Sequence, residues 1–345
     1  MAANPLSNDL NHILEHTRDL WGDLRGERIF VTGGTGFFGK WILESLLWAN
    51  DHLQLDCRAT VLSRSPDSFR TNFPHLADHP AVLLLPGDVR RFTYPDGQFA
   101  HMIHAATESS AKLNAENPLQ MLDTIVGGTR HTLEFAKTCG AQNFLLTSSG
   151  AVYGQQPPEM THIPEEYNGA PDPLDPKSAY GEGKRMAEHL CTLYADAGLK
   201  TKIARCFAFV GPYLPLDIHF AIGNFIRDAL NGGPITVKGD GTPYRSYLYA
   251  ADLTIWLWRI LLRGQTCKPY NVGSEIDLSI GQLAQIVGGC FRSPIKVVIY
   301  GTPEAGKAPA RYVPSNLRAK TELGLDTWIP LHEAILRTIC YHQGN

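Results

Sequence analysis

The strongest constraint on the fold is the stretch Arg28-Ile29-Phe30-Val31-Thr32-Gly33-Gly34-Thr35-Gly36-Phe37-Phe38-Gly39. Ile29 to Val31 is an apolar run with the length of a buried parallel strand. Glycines 33, 36 and 39 follow at once, and Trp41 to Leu47 then reads as a helix. Strand, glycine turn and helix in this order form a dinucleotide-binding element. Gly33 permits the tight turn, Gly36 lets the main chain approach a pyrophosphate, and Gly39 lets helix and strand pack closely. Thr35, Phe37 and Phe38 complete the loop, and the helix N-terminus offers free amides and a partial positive charge.

The rest of the chain repeats the alternation. Ala59-Thr60-Val61-Leu62 is a second strand. An acid at its end would bind the adenosine ribose hydroxyls of NAD. Ser63-Arg64-Ser65 stands there instead, and a guanidinium can hold a ribose phosphate, which favours NADP over NAD. The competing reading of Arg64 is an ordinary surface arginine. Val82 to Leu85 is a third strand, and Asp88 and Val89 fall where an adenine would lie. Met102 to Ala106 is a fourth, whose Ala105 and Ala106 are small enough to admit a nicotinamide ribose; Thr107 and Glu108 then border the reaction site.

Helices over Gln120–Lys137 and Ala179–Tyr194 separate strands over Asn143–Thr147 and Lys202–Phe207. This pace predicts an α/β protein, a Rossmann-type doubly wound parallel sheet. After Gly211 the alternation breaks down, which predicts a smaller C-terminal substrate domain. The predicted division is a helical extension over 1–27, packed outside the core; a dinucleotide-binding domain over 28–211 and 238–273; and a substrate domain over 212–237 and 274–345. A proline-rich loop from Gln155 to Pro176 interrupts the first domain, and loops of that length are more often functional than idle.

Composition narrows the class of protein. A net charge of −3 gives no reason to expect nucleic acid. No apolar run reaches the roughly 20 residues of a membrane span, and no signal peptide is evident, so a cytoplasmic protein is expected. Seven scattered cysteines have neither disulfide-framework nor metal-ligand spacing, and no metal is expected.

Two stretches carry chemistry: Thr147-Ser148-Ser149-Gly150-Ala151-Val152-Tyr153-Gly154 and Tyr180-Gly181-Glu182-Gly183-Lys184. Tyr180 and Lys184 are four apart and share a helix face. An ammonium beside a phenol favours the phenolate, and so does an oxidised nicotinamide. Tyr180 can then take a hydroxyl proton while hydride leaves the same carbon. Ser149, at a strand end, would hydrogen-bond the substrate oxygen.

These residues resemble those of the extended short-chain dehydrogenases/reductases, in the nucleotide-sugar epimerase/dehydratase branch. TGGTGFFG at 32–39, SSGAVYG at 148–154, YGEGK at 180–184 and YNVGS at 270–274 fit it. Gly239 to Ser246 is similar to the GDGxxxRS stretch of dTDP-glucose 4,6-dehydratases and UDP-glucuronate decarboxylases. The resemblance implies that Asn224, the segment from Pro234 to Val237, Arg245 and Arg311 bind the nucleoside diphosphate, arginines being suited to bidentate contact with it. It also implies a homodimer formed through the helices starting near Gln120 and Ala179.

Departures from the pattern bear on the reaction. The 4,6-dehydratases carry an Asp-Glu pair directly after the active-site hydroxyl residue, and the decarboxylases keep a glutamate there. This chain has Gly150-Ala151, which can move no proton. Ala208 stands for the asparagine usual in RxFNxYGP, and Ile125 for that of NxxGT. The expected function is therefore NAD(P)-dependent oxidation or reduction at C4 of a nucleotide-linked sugar, as an epimerase or a 4-keto reductase. A dehydratase or decarboxylase with a relocated acid/base group, for which Glu108 is a candidate, is the alternative. A non-catalytic dinucleotide-binding regulator is a third reading, although such proteins have usually lost the tyrosine or the lysine.

Overall fold

Ile29, Phe30 and Val31 have no solvent exposure, as a strand covered on both faces requires. The computed structural model describes residues 4–107, 111–218 and 220–344. In it they lie in β1 (Arg28–Thr32), which pairs in parallel with β2 (Arg58–Ser63) and with β4 (His101–His104). β3 (Val82–Pro86) adds outside β2, while β5 (Asn143–Ser149), β6 (Lys200–Cys206) and β7 (Pro269–Val272) add outside β4, all parallel. The seven-stranded order is thus β7-β6-β5-β4-β1-β2-β3. It reverses between β1 and β4, and such a switch point opens a crevice at the carboxyl ends of the strands.

Strand residues alternate between two cores. Ile29 and Val31 face one that includes α2 (Phe37–Leu53) and α5 (Ala250–Arg263). Phe30 faces the other, which holds residues of α3 (Pro118–Thr138) and α4 (Ala179–Asp196). There it meets the rings of Phe92, Phe99 and Phe135 with centroids 4.9 to 5.6 Å away. Within this second core a side chain on Gly183 of α4 would crowd Ile125 of α3, so the glycine lets the two helices approach closely.

The N-terminal extension departs from expectation. The predicted helix exists as α1 (Ser7–His16), but it is not outside the core. Leu6, Leu10, Ile13, Leu20, Trp21 and Leu24 are each at most 2% exposed and belong to the first core. Trp21 packs edge-on to Trp258 of α5 at 5.2 Å, and Asp9 accepts from Tyr249 at 2.7 Å and from Arg337. The reason is α5 itself, whose apolar residues run all round it; a helix of that kind needs cover on the side away from the sheet.

Beyond the main sheet, Ile235–Val237 pairs in parallel with Val297–Ile299. Tyr244–Arg245 lies between Leu278–Ser279, antiparallel to it, and Arg311–Tyr312, parallel to it. The second group brings a strand pair to the mouth of the crevice.

Candidate active site

The glycine turn sits where β1 enters the crevice. Gly33 has a φ of +72°, and a Cβ there would lie 2.4 Å from the carbonyl of Ala105 at the end of β4. Gly39 is equally closed, since its Cβ would lie 2.2 Å from Gly34 Cα. Gly36 differs: its Cβ would meet only Gly33 O, at 3.3 Å. The space outside Gly36 is open, and α2 starts at Phe37 with no side chain capping its first amides. A pyrophosphate fits such a cradle.

Thr35, Ser63, Arg64, Ser65, Ser68, Phe69, Asn72 and Phe73 line a cavity of about 240 Å³ beside this turn. None of the eight is acidic. Lys40 of α2 stands over the Phe73 ring at 4.3 Å, and burial pushes its pKa down to about 8. Asp88 is gripped by Arg90 through both carboxylate oxygens at 2.8 and 2.9 Å, which holds its pKa down to about 2. Val89 beside it is 8% exposed.

Ser149 ends β5, and Tyr180 and Lys184 lie in the first turns of α4. Lys184 is 3% exposed and donates to Thr107 Oγ1 at 2.9 Å and to Thr147 O at 2.7 Å. Burial lowers its pKa to about 8. Behind it His104 bridges Thr32 Oγ1 (2.8 Å) and Thr129 Oγ1 (3.1 Å), and burial together with Lys184 holds the imidazole neutral, its pKa near 3. The Lys184 ammonium is 5.9 Å from the Tyr180 ring centroid. Burial, more than this charge, sets the phenol of Tyr180, pushing its pKa up to about 12, against which a hydrogen bond with Ser149 acts. In this state Tyr180 is held as a neutral phenol, so forming the base takes a further positive charge near it.

Several conspicuous motif residues serve the frame. Glu188, one turn beyond Lys184, binds Ser148 at 2.5 Å and Arg205 at 2.7 Å. Arg205 donates to Tyr153 OH, which donates to Asn271 Oδ1 at 2.7 Å. The VYG and YNVGS motifs are thus tied to each other behind the site.

The predicted substrate residues are spread more widely. The strand register places Arg245 beside Tyr312 and Arg311 beside Tyr244, on opposite faces of the pair. Arg245 Cζ is 5.7 Å from the Tyr312 ring, on the Ser149 side. Arg311 stacks on Tyr244 at 4.2 Å and is bound to Asp277 at 2.6 Å. Asn224 accepts from Arg227 at 2.9 Å. Val237 is 2% exposed within the first core, with its carbonyl taken by Tyr300 N. Ala106 donates its amide to Thr32 Oγ1, holding the end of β4 against β1. Glu108 lies outside the described residues.

One site residue had no signal in the sequence. Tyr312 OH is 3.4 Å from Ser149 Oγ, and its ring packs on Phe207 at 4.6 Å. A Cβ on Gly150 would lie 2.7 Å both from Tyr312 OH and from Phe207 Cζ. The room beside residue 150 is filled by these two rings. Ala151 donates its amide to Ser149 Oγ at 3.2 Å. Among the described residues no group of histidine, cysteine and acidic side chains could hold a metal ion, and no helix is long and apolar enough to cross a membrane.

Known proteins resemble this chain in sequence and in architecture. The profile of the NAD dependent epimerase/dehydratase family matches residues 29–273. UDP-glucuronic acid decarboxylase 1 of Xenopus tropicalis is 32% identical over 326 residues, 92% of this chain and 74% of the relative. UDP-glucuronic acid decarboxylase 6 of Arabidopsis thaliana is 31% identical over 310 residues, 89% and 86% of the two chains. Among solved structures, a dTDP-glucose 4,6-dehydratase of Streptomyces venezuelae superposes with a TM-score of 0.76 at 23% identity, covering 92% of this chain and 97% of its own. Together with the glycine turn and the Ser149, Tyr180 and Lys184 cluster, these matches show that the chain is an enzyme belonging to the NAD-dependent epimerase/dehydratase family.

Proposed function

We propose that this enzyme oxidises or reduces C4 of a nucleotide-linked sugar, as an epimerase or a 4-keto reductase. The observation that carries the finer reading is at Gly150. Neither Gly150 nor Ala151 has a titratable group, and Phe207 and Tyr312 occupy the room a side chain at 150 would need. Chemistry at C5 and C6 would have to draw its acid or base from another element, whereas chemistry confined to C4 needs none beyond Tyr180.

The bound dinucleotide supplies the acceptor or donor of a hydride. Gly33, Thr35, Gly36, Phe37, Phe38 and Gly39 would hold its pyrophosphate, Asp88 and Val89 its adenine, and Ala105, Ala106 and Thr107 the nicotinamide ribose. Ser63 and Arg64, with Lys40 close by, support NADP as the preferred form. Tyr180 takes the proton of the C4 hydroxyl as the C4–H bond breaks, and Ser149 orients that oxygen. Lys184, already hydrogen-bonded to Thr107, reaches a ribose hydroxyl. Arg245 is the arginine placed to grip the diphosphate; Asn224, Arg311 and the backbone around Val237 would surround the nucleoside. Residues 212–237 and 274–345 would act as the substrate domain, and the exposed Leu119 of α3 with Met186 and Leu193 of α4 would meet a second copy in a homodimer. Sedimentation reads the last point: a monomer at micromolar concentration contradicts it.

A decarboxylase is the second reading, favoured by the 31–32% identity to UDP-glucuronic acid decarboxylases. Incubation with UDP-glucose, UDP-glucuronate and dTDP-glucose, followed by mass spectrometry and NMR of the products, separates the readings. An isomer, or a 4-keto sugar that keeps all its carbons and its C6 oxygen and forms as added NAD or NADP is reduced, supports the first. Release of carbon dioxide from UDP-glucuronate establishes the second, and loss of water from a hexose shows a dehydratase.

A further inference from the structure

We propose that Tyr312 is a positioning residue of this site: its hydroxyl donates to Ser149 Oγ, which leaves the serine's own proton pointing into the site, to Tyr180 before substrate binds and to the substrate oxygen once it has. The inference rests on the function proposed above for Ser149 and Tyr180.

The hydrogen-bond capacity of Ser149 decides the direction. A serine hydroxyl has one proton and two lone pairs. Among the described residues Ser149 Oγ has three polar neighbours: the Ala151 amide at 3.2 Å, Tyr312 OH at 3.4 Å, and the phenol of Tyr180. The amide can only donate, so it takes one lone pair. One proton cannot serve both phenols, so one of them must donate into the second lone pair. Burial raises the pKa of both phenols, and Tyr180 is the one that must give up its proton to act as the base, so Tyr312 is the phenol that keeps its own and donates. With both lone pairs filled, Ser149 is left as a donor toward Tyr180. A donor there favours the phenolate that the reaction requires.

Tyr312 is held for this role from three sides. Its ring lies on Phe207, and its strand partner is Arg245. The next residue, Val313, is clamped through its amide to Gln156 Oε1 at 3.0 Å and through its carbonyl to Ile163 N at 2.8 Å. Both partners belong to the proline-rich loop, so that loop fixes the strand carrying Tyr312. Gly150 completes the arrangement, because any Cβ there would meet the Tyr312 oxygen at 2.7 Å.

Among the described residues the groups facing Tyr180 are few. Ser149 comes from β5, Cys206 from β6, Tyr312 from the C-terminal strand, and Lys184 from its own helix. Behind Lys184 stand Thr107, His104 and Glu188, and Arg245 faces Tyr312. Among these only Tyr312 can be stripped of its hydroxyl while its ring continues to fill the site.

The test follows the ionisation of Tyr180 by NMR of protein labelled at the tyrosine carbon bearing the hydroxyl, free and loaded with NAD or NADP. The signal is assigned by its loss in Tyr180→Phe. In Tyr312→Phe the Tyr180 midpoint should move to higher pH by about half a unit or more, the worth of one hydrogen bond. In Ser149→Ala the same Tyr312→Phe change should move it no further, because the effect runs through the serine. An unmoved midpoint in Tyr312→Phe overturns the proposal, and so does an equal shift in both backgrounds. Failure to retain either dinucleotide contradicts the proposed function instead, and the free protein still reports the effect of Tyr312.

Discussion

Lys184 on α4 donates to Thr107 Oγ1 at the end of β4, across 2.9 Å, and so closes the crevice at the point where the strand order reverses. Its second acceptor, Thr147 O, belongs to β5. One ammonium thus joins the three elements that carry the chemistry, which is why its removal should affect more than one step. Lys184→Met leaves two acceptors without a donor in a buried place. We expect weaker dinucleotide binding, slower hydride transfer, and a stability loss of about 1–3 kcal/mol. Fluorescence titration of the dinucleotide and denaturant melts measure these; unchanged affinity would count against the ribose contact.

Tyr180→Phe keeps the ring and removes the proton acceptor. Hydride transfer should fall by about 10² or more, the usual worth of a positioned base. Substrate affinity should barely change, since Arg245 lies on a different element. Single-turnover measurement of nicotinamide reduction isolates this step, and a wild-type rate would remove Tyr180 from the mechanism.

The three glycines of the turn should respond differently. Gly36→Val should leave a folded protein that no longer binds dinucleotide, because its Cβ meets only Gly33 O, at 3.3 Å, a contact relieved by a small shift, whereas a bound pyrophosphate would occupy the same space. Gly33→Val should unfold or fail to express, since the same atom would overlap the Ala105 carbonyl at a φ that valine avoids. Circular dichroism beside a binding titration distinguishes the two. Retained affinity in Gly36→Val would show the turn to have another role.

Arg64→Ala tests cofactor preference. The cavity beside the turn offers hydroxyls, an amide and a guanidinium and no carboxylate. NADP affinity should drop by about tenfold or more, the effect of one charge-assisted contact, while NAD affinity changes little. Titration of both dinucleotides into both proteins decides it, and equal affinities in the wild type contradict the preference.

His104 gives a pH signature. Its pKa falls from 6.5 in the unfolded chain to about 3 in the folded one. The unfolded chain therefore gains a proton below pH about 6.5 that the folded chain refuses, and stability present above that pH is lost as pH falls toward about 3. The slope from this one group is up to about 1.4 kcal/mol per pH unit. Denaturant midpoints of wild type and His104→Gln, compared across that window, should converge as pH falls. Parallel curves would mean that His104 titrates normally.

The core of this molecule was readable because its signals are local. β1, the glycine turn and α2 are adjacent in sequence, and Tyr180 and Lys184 are one helical turn apart, so spacing alone places them. The contribution of Tyr312 was not readable, because it meets Ser149 from 163 residues away through a two-residue strand too short to carry a pattern. His104 looked like one polar residue in an apolar strand, and nothing nearby shows that it backs Lys184. The two arginines illustrate the opposite case. Motif positions placed Arg245 and Arg311 in one role, yet the register that turns them to opposite faces exists only once Tyr244–Arg245 and Arg311–Tyr312 have paired.

The burial of the N-terminal helix has a consequence for how the chain is made. Asp9, Asp19 and Asp23 find their partners in Tyr249, Arg259 and Arg263, each 240 residues further along. Trp21 rests on Trp258. On the ribosome, this segment emerges with α2 soon behind it, but some 240 residues before its partners in and beside α5, and closing so wide a loop is slow. Its apolar face of Leu6, Leu10, Ile13 and Trp21 then has only α2 to cover it until α5 appears. A segment made 240 residues ahead of these partners completes its docking only after they appear.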